Sequence, residues 1–186
     1  MSQTKKITTP LTAEQINNLK AGDQVTITGV IYTARDAAHK LLIEALNNKE
    51  QLPVDFEDQI IYYVGPTPPK PGKIIGSCGP TTSGRMDAYA PTLMDHGLKG
   101  MIGKGPRSQP VVQSMKKNNA VYFAGIGGAA ALMADCVKEA TVVAYDELGP
   151  EAIRRLVVED YPCIVAIDSD GNNLYELGVE QYKAKD

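Results

Sequence analysis

The chain has 186 residues, 43% of them hydrophobic, which is enough to bury a core in a single domain. Its formal net charge is -3, and the basic residues are scattered rather than grouped in a stripe, which excludes the electrostatic footprint of a nucleic-acid binder. The polar start MSQTKKITTPLTAEQ and the lack of any apolar run of about 18 residues predict no secretory leader and no membrane span, and so a cytoplasmic protein.

In chain order, Thr12-Ala13-Glu14-Gln15 has capping-box spacing and opens a helix of about two turns that Gly22 is placed to end. QVTITGVIYT (24–33) is β-branched and predicts a strand with a bulge at Gly29. From Asp36, apolar residues at 37, 38, 41, 42, 45 and 46 recur at helical spacing and predict a helix ending before Pro53. Arg35 then stands at a strand-to-helix junction. QIIYYVG reads as a strand, GPTPPKPG as a stiff extended loop, and residues 73–77 as a short strand running into CGPTTSG. A helix is expected over residues 85–96, interrupted at Pro91 and stopped by Gly97. Beyond it come strand LKGMIG, helix SQPVVQSMKKN, strand AVYFAG, helix GGAAALMADC, strand TVVAY, helix PEAIRRLVVED, strand PCIVAI and a DSDGNN turn. This alternation predicts an α/β fold, with residues 1–10 and 180–186 frayed.

The three cysteines, Cys78, Cys136 and Cys163, cannot all pair, and none belongs to a local C-x-x-C cluster. Cys136 and Cys163, in MADCV and YPCIV, read as small buried hydrophobes, whereas Cys78 enters a loop with chemical interest. Residues 76–107, GSCGPTTSGRMDAYAPTLMDHGLKGMIGKGPR, concentrate that interest. A glycine-rich turn exposes backbone N–H groups, Thr81, Thr82 and Ser83 add short hydroxyls, and Arg85 adds a planar fork suited to a carboxylate or phosphate. Spacing alone leaves two readings: an anion site, or a capped turn with a surface arginine. A nucleotide phosphate loop fails, because Gly79 and Gly84 are followed by Arg85-Met86 rather than by Lys and a hydroxyl residue. Gly125, Gly127 and Ala130 give a G-x-G-x-x-A pattern without a suitably placed acid beyond Asp146, so they read as glycines that let a helix pack against a sheet.

The run GSCGPTTSGRMDAYAPTLMDHGLKGMIGKG closely resembles the signature of the class I fumarase C-terminal domain and of the tartrate dehydratase beta subunit. TARDAAHK (33–40), FAGIGGAAAL (123–132) and LGPEAIRRLVVEDYPCIVAIDSDGN (148–172) agree, so the resemblance covers most of residues 24–172. It implies a swivelling β/β/α three-layer domain with a mixed central sheet, in which residues 1–186 form one beta-type catalytic domain of an iron-sulfur hydro-lyase. The implied reaction is reversible hydration of a C4 dicarboxylate, fumarate to L-malate first. An L-tartrate dehydratase beta subunit and a non-catalytic organic-acid-binding module are the alternatives. A 4Fe-4S cluster is implied on three cysteines of a separate alpha subunit, with this chain holding no metal and Cys78 a loop residue. An α2β2 assembly is a further expectation of the resemblance.

Matched residue by residue, Thr81 corresponds to the proposed base and Arg85 to a carboxylate-binding arginine. Arg35 and Lys104 correspond to further substrate-contacting cations, with Lys104 also able to stabilise charge that develops during the reaction. A threonine hydroxyl is a weak base in water and needs neighbouring cations, backbone donors or a carboxylate to act. Thr82, Ser83, Asp87 and His39 are supporting candidates. Asp87 also reads as a cap or ion-pair partner, and His39 as a residue that orients a neighbour.

Overall fold

Alternation along the strands sorts the apolar side chains into two separate cores, and this sorting builds the fold. The computed structural model describes residues 4–125 and 130–182. Its elements are β1 (Lys5–Thr8), α1 (Ala13–Asn17), β2 (Gln24–Thr33), α2 (Asp36–Asn47), β3 (Ile60–Tyr62), α3 (Ala90–Asp95) and β4 (Gly100–Gly103). They continue with α4 (Gln109–Asn118), β5 (Val121–Gly125), α5 (Ala130–Asp135), β6 (Val137–Ala144), β7 (Ile153–Ile167) and α6 (Leu174–Tyr182). Strands β1 to β5 pair parallel with their sequence neighbours, and β7 runs antiparallel to β2, β5 and β6. Because β7 pairs with both β2 and β5, the strands β2-β3-β4-β5-β7 close into a ring, with β1 and β6 as outer strands.

In β3, Ile60 and Tyr62 point into a core shared with Ile27, Ile31, Phe123, Leu156 and Tyr161. Ile61 and Tyr63 point the other way, into a core with Leu42 of α2, Leu93 and Met94 of α3, and Val111 and Met115 of α4. The parallel strands are therefore buried on both faces, by helices on one side and by β structure on the other. This is a mixed α/β fold with a central mixed sheet, as the sequence led one to expect. Among the described residues no helix is long and apolar enough to cross a membrane.

Several local features follow the sequence closely. The capping box of α1 is formed, with the Thr12 hydroxyl accepting from Gln15 N–H and the Gln15 side chain from Thr12 N–H, although α1 is only five residues long. Gly29 has φ +126°, and the β2–β7 register shifts between Ile27 and Gly29, so the bulge is present.

Other expectations are corrected. The segment PEAIRRLVVED is not an α-helix: Pro150 and Glu151 end a 3₁₀ turn, and residues 153–160 are the first half of β7, a single 15-residue strand. Ile153, Leu156 and Val157 fit a helical stripe as well as a strand, and the long antiparallel pairing with β2, from Thr33 with Arg154 to Gln24 with Ile164, decides for the strand. Residues 73–77 join no ladder. Thr67 N–H donates to Ser77 O at 3.2 Å and Ser77 N–H to Thr67 Oγ1 at 2.8 Å, folding the proline loop onto itself. The helix expected over 85–96 splits into a 3₁₀ turn at Ser83–Met86 and α3, where Pro91 lies in the first turn, the position at which its missing N–H costs least. Residues 5–8 are not frayed, since β1 pairs with β2 and buries Ile7. The helix α6 reaches Tyr182, and residues 126–129 and 183–186, on which the glycine-turn and tail expectations partly fall, lie outside the described residues.

Candidate active site

Parallel strands all release the chain at the same edge of the sheet, where functional groups of α/β proteins gather. Leaving β2, the chain delivers Arg35 and Asp36, and leaving β4 it delivers Lys104. The loop that follows β3 returns to this edge and is laced between the two strand ends. Thr81 N–H donates to Tyr63 O at 2.8 Å, Lys104 N–H to Thr81 O at 3.2 Å, and Ser83 N–H to Lys104 O at 2.9 Å. Thr82 and Lys104 thereby form an isolated parallel bridge. Backbone pairing brings Thr81 and Lys104 onto adjacent segments. Among the described residues neither the Thr81 hydroxyl nor the Lys104 ammonium has a hydrogen-bond or ion-pair partner.

The loop is pinned from below. Gly103 has no Cβ because one would overlap the buried Ser83 hydroxyl, which donates to Tyr122 OH at 2.9 Å. Tyr122 OH in turn donates to Gly105 O at 2.9 Å. Asp87 accepts from Arg107 Nε and from Ser108 N–H, each at 2.7 Å. The Arg107 side chain is fully buried and lies 5.3 Å and 5.1 Å from the Tyr63 and Tyr122 ring centres. Ser83 and Asp87 are thus placed beneath the loop as anchors, while Thr82 is exposed on it.

The arginines meet through a carboxylate. Arg85 Nε donates to Asp36 Oδ1 at 2.9 Å, and Asp36 Oδ2 lies 3.8 Å from Arg35 Nε. That second pair is buried without a hydrogen bond on either atom. Arg35 Nη2 also approaches Glu151 Oε1 at 3.5 Å. His39, fully buried one turn into α2, donates from Nδ1 to Arg35 O at 2.8 Å and packs edge-on against Tyr63. Burial lowers its pKa to about 4, so its ring is neutral.

Among the described residues the three cysteines are not brought together as a set of metal ligands. Cys78 is buried, its thiol is pushed up to about 12 by burial, and its carbonyl accepts from Tyr62 OH. Burial also raises the Cys163 and Cys136 thiols, and among the described residues no three His, Cys, Asp or Glu side chains are placed to hold a metal. A cleft of about 530 Å³ lies away from the site, lined by Thr67, Lys73, Ile74, Ala131 and Lys138, and none of Arg35, Thr81, Arg85 or Lys104 borders it. The polar chemistry stands on an open edge, and polar convergence weighs more than concavity in assigning the site. Reading the sequence missed Asp36, Glu151 and Arg107. All three stand inside quoted motifs, but only the fold shows what they hold.

The family model for the fumarase C-terminus matches residues 2–178. The chain belongs to the fumarase C-terminus family. Within this family, a Methanocaldococcus jannaschii chain assigned as L(+)-tartrate dehydratase subunit beta is 42% identical over 172 residues, covering 89% of this chain and 88% of its own. The anaerobic class I fumarate hydratase of Escherichia coli is 40% identical over 164 residues, and fumarate hydratase 2 of Leishmania major 39% over 164, each across 87% of this chain. The chain spans 30% and 29% of the length of those two fumarate hydratases. The fumarase C-terminus family thus includes a chain of similar extent and much longer ones.

Proposed function

We propose that this chain is the beta-type part of a two-chain cytoplasmic hydro-lyase that reversibly hydrates a C4 dicarboxylate, with fumarate and L-malate as the first assignment. The observation that carries this reading is the gathering of Arg35, Thr81, Arg85 and Lys104 at the carboxyl edge of the parallel strands of the mixed sheet. Arg35, Arg85 and Lys104 hold the substrate carboxylates, each charge-assisted contact being worth roughly 1.5–3 kcal/mol. Thr81 moves the proton at the carbon beside the leaving hydroxyl, and returns it in the hydration direction. The same three cations stabilise the charge that builds on the adjacent carboxylate. On the family resemblance the 4Fe-4S cluster of the assembled enzyme belongs to an alpha partner, a reading supported by the lack, among the described residues, of three cysteines placed together. An α2β2 assembly is part of the same proposal and rests on the family resemblance.

A second reading, the beta subunit of an L-tartrate dehydratase, is favoured by the Methanocaldococcus jannaschii relative, which this chain matches over 88% of its length. Both substrates present two carboxylates to the same cations. The test is anaerobic co-expression with an alpha partner, followed by hydration and dehydration assays on fumarate, malate, tartrate and methyl-substituted relatives. Turnover of fumarate is the expected result, turnover of tartrate alone supports the second reading, and an assembled pair inert toward all of them sinks both.

A further inference from the structure

Arg35 occupies the N-cap position of α2 and contributes no side-chain cap. A cation there faces the positive end of the helix dipole, an arrangement that costs stability unless a nearby anion offsets it. Glu151 supplies that anion from far along the chain. Its Oε2 accepts from Ala37 N–H at 2.8 Å, capping the first turn of α2, while its Oε1 lies 3.5 Å from Arg35 Nη2.

The turn that carries Glu151 is itself clamped. Arg154 donates to Gly149 O at 2.9 Å, to Pro150 O at 3.2 Å and to Ala152 O at 3.3 Å. Arg154 N–H donates to Thr33 Oγ1 at 3.0 Å, tying the turn to the strand that ends just before Arg35. The Arg35 guanidinium also lies over Gly65, where a Cβ would come within 2.7 Å of Nη1 and 3.4 Å of Pro150 O. Backbone below and the clamped turn beside it leave the Arg35 side chain little choice of direction.

We infer that Glu151 is a positioning residue that aims Arg35 at a substrate carboxylate, with Arg154 and Gly65 fixing the frame in which it does so. This rests on the reading of Arg35 as a substrate-binding cation. A pure helix cap needs one oxygen, whereas Glu151 divides its two between an amide and the guanidinium. The Arg35 contacts to Glu151 at 3.5 Å and Asp36 at 3.8 Å are too long to be hydrogen bonds, so its donors are restrained in direction but unspent. Pre-aiming removes the ordering cost that a freely rotating arginine meets on binding.

The experiment measures binding of succinate, an unreactive C4 dicarboxylate, to the assembled two-chain enzyme by calorimetry. Glu151→Gln keeps an oxygen for Ala37 N–H and removes the charge beside Arg35. It is expected to weaken succinate about three- to tenfold and to lower the melting temperature slightly, because the charge that offsets Arg35 at the start of α2 is gone. Arg35→Met tests the underlying reading and should weaken succinate by more. In the double variant the effect of Glu151→Gln must vanish, because Glu151 acts through Arg35. Equal weakening in both backgrounds, or no change or a gain in affinity for Glu151→Gln alone, overturns the inference and leaves the reading of Arg35 standing. Unchanged affinity in Arg35→Met overturns both. Gly65→Ala, which displaces the guanidinium without touching Glu151, is the independent variant should Glu151→Gln not fold, and full succinate affinity in it also overturns the inference.

Discussion

Thr81 spends its N–H on Tyr63 and its carbonyl on Lys104, which leaves the hydroxyl as its one polar group uncommitted among the described residues. Thr81→Ala removes that hydroxyl while the strand ends keep the loop in place. If Thr81 moves the carbon-bound proton, kcat falls by about 10²- to 10⁴-fold with KM nearly unchanged, and Thr82→Ala does less harm. Exchange of the C3 proton of malate with deuterated solvent reads the step directly, and wild-type exchange in Thr81→Ala would show that another group does the work. His39 gives a second residue-scale prediction. Burial lowers its pKa from 6.5 to about 4, with the Arg35 carbonyl hydrogen bond opposing the shift. Its neutral form is favoured by folding, so its contribution is complete above the unfolded value of 6.5 and is lost as pH falls toward 4. The loss is on the order of 3 kcal/mol. Urea unfolding at pH 7.5 and 4.5 should show this loss in the parent and not in His39→Gln, and an equal loss in both would rule out His39 as its source.

At the scale of elements, the loop between β3 and α3 is held by a buried ion pair rather than by its own sequence. Asp87→Ala leaves Arg107 charged and fully buried with no anion beside it, facing two tyrosine rings, the Tyr63 hydroxyl and a sulfur, and should destabilise the fold by about 3–5 kcal/mol. Chemical denaturation checks this, and a loss below about 1 kcal/mol, the range of a surface ion pair, contradicts the anchoring role. These anchors explain what the sequence could and could not tell. The bulge at Gly29, the cap of α1, the stripe of α2 and the grouping of Thr81, Arg85 and Lys104 in one motif are local properties and were legible. The strand identity of residues 153–159 was not, because its apolar spacing suits a helix as well, and the deciding partner is β2, more than a hundred residues earlier. Glu151 and Arg107 were illegible as site residues for the same reason, since each is defined by what it faces across the fold.

At the scale of the whole molecule, the candidate site is an open edge among the described residues, and on the proposed reading an alpha partner supplies the facing wall. The purified chain alone should therefore be folded and without hydro-lyase activity. Anaerobic treatment with iron and sulfide should leave it without a stoichiometric 4Fe-4S absorption spectrum. Such a spectrum, abolished by Cys78→Ser, would overturn the two-chain assignment. The ring of five strands has a consequence for how the chain is made. Its closing strand β7 begins at Ile153, and the bond from Arg154 to Thr33 spans 121 positions. On the ribosome, β2 and β5 must wait with unpaired edges and an uncovered apolar interior until residues 153–167 have emerged. A nascent chain halted before Ile153 is accordingly not a smaller folded unit but an adhesive open sheet, the kind of species that chaperones shield and proteases remove.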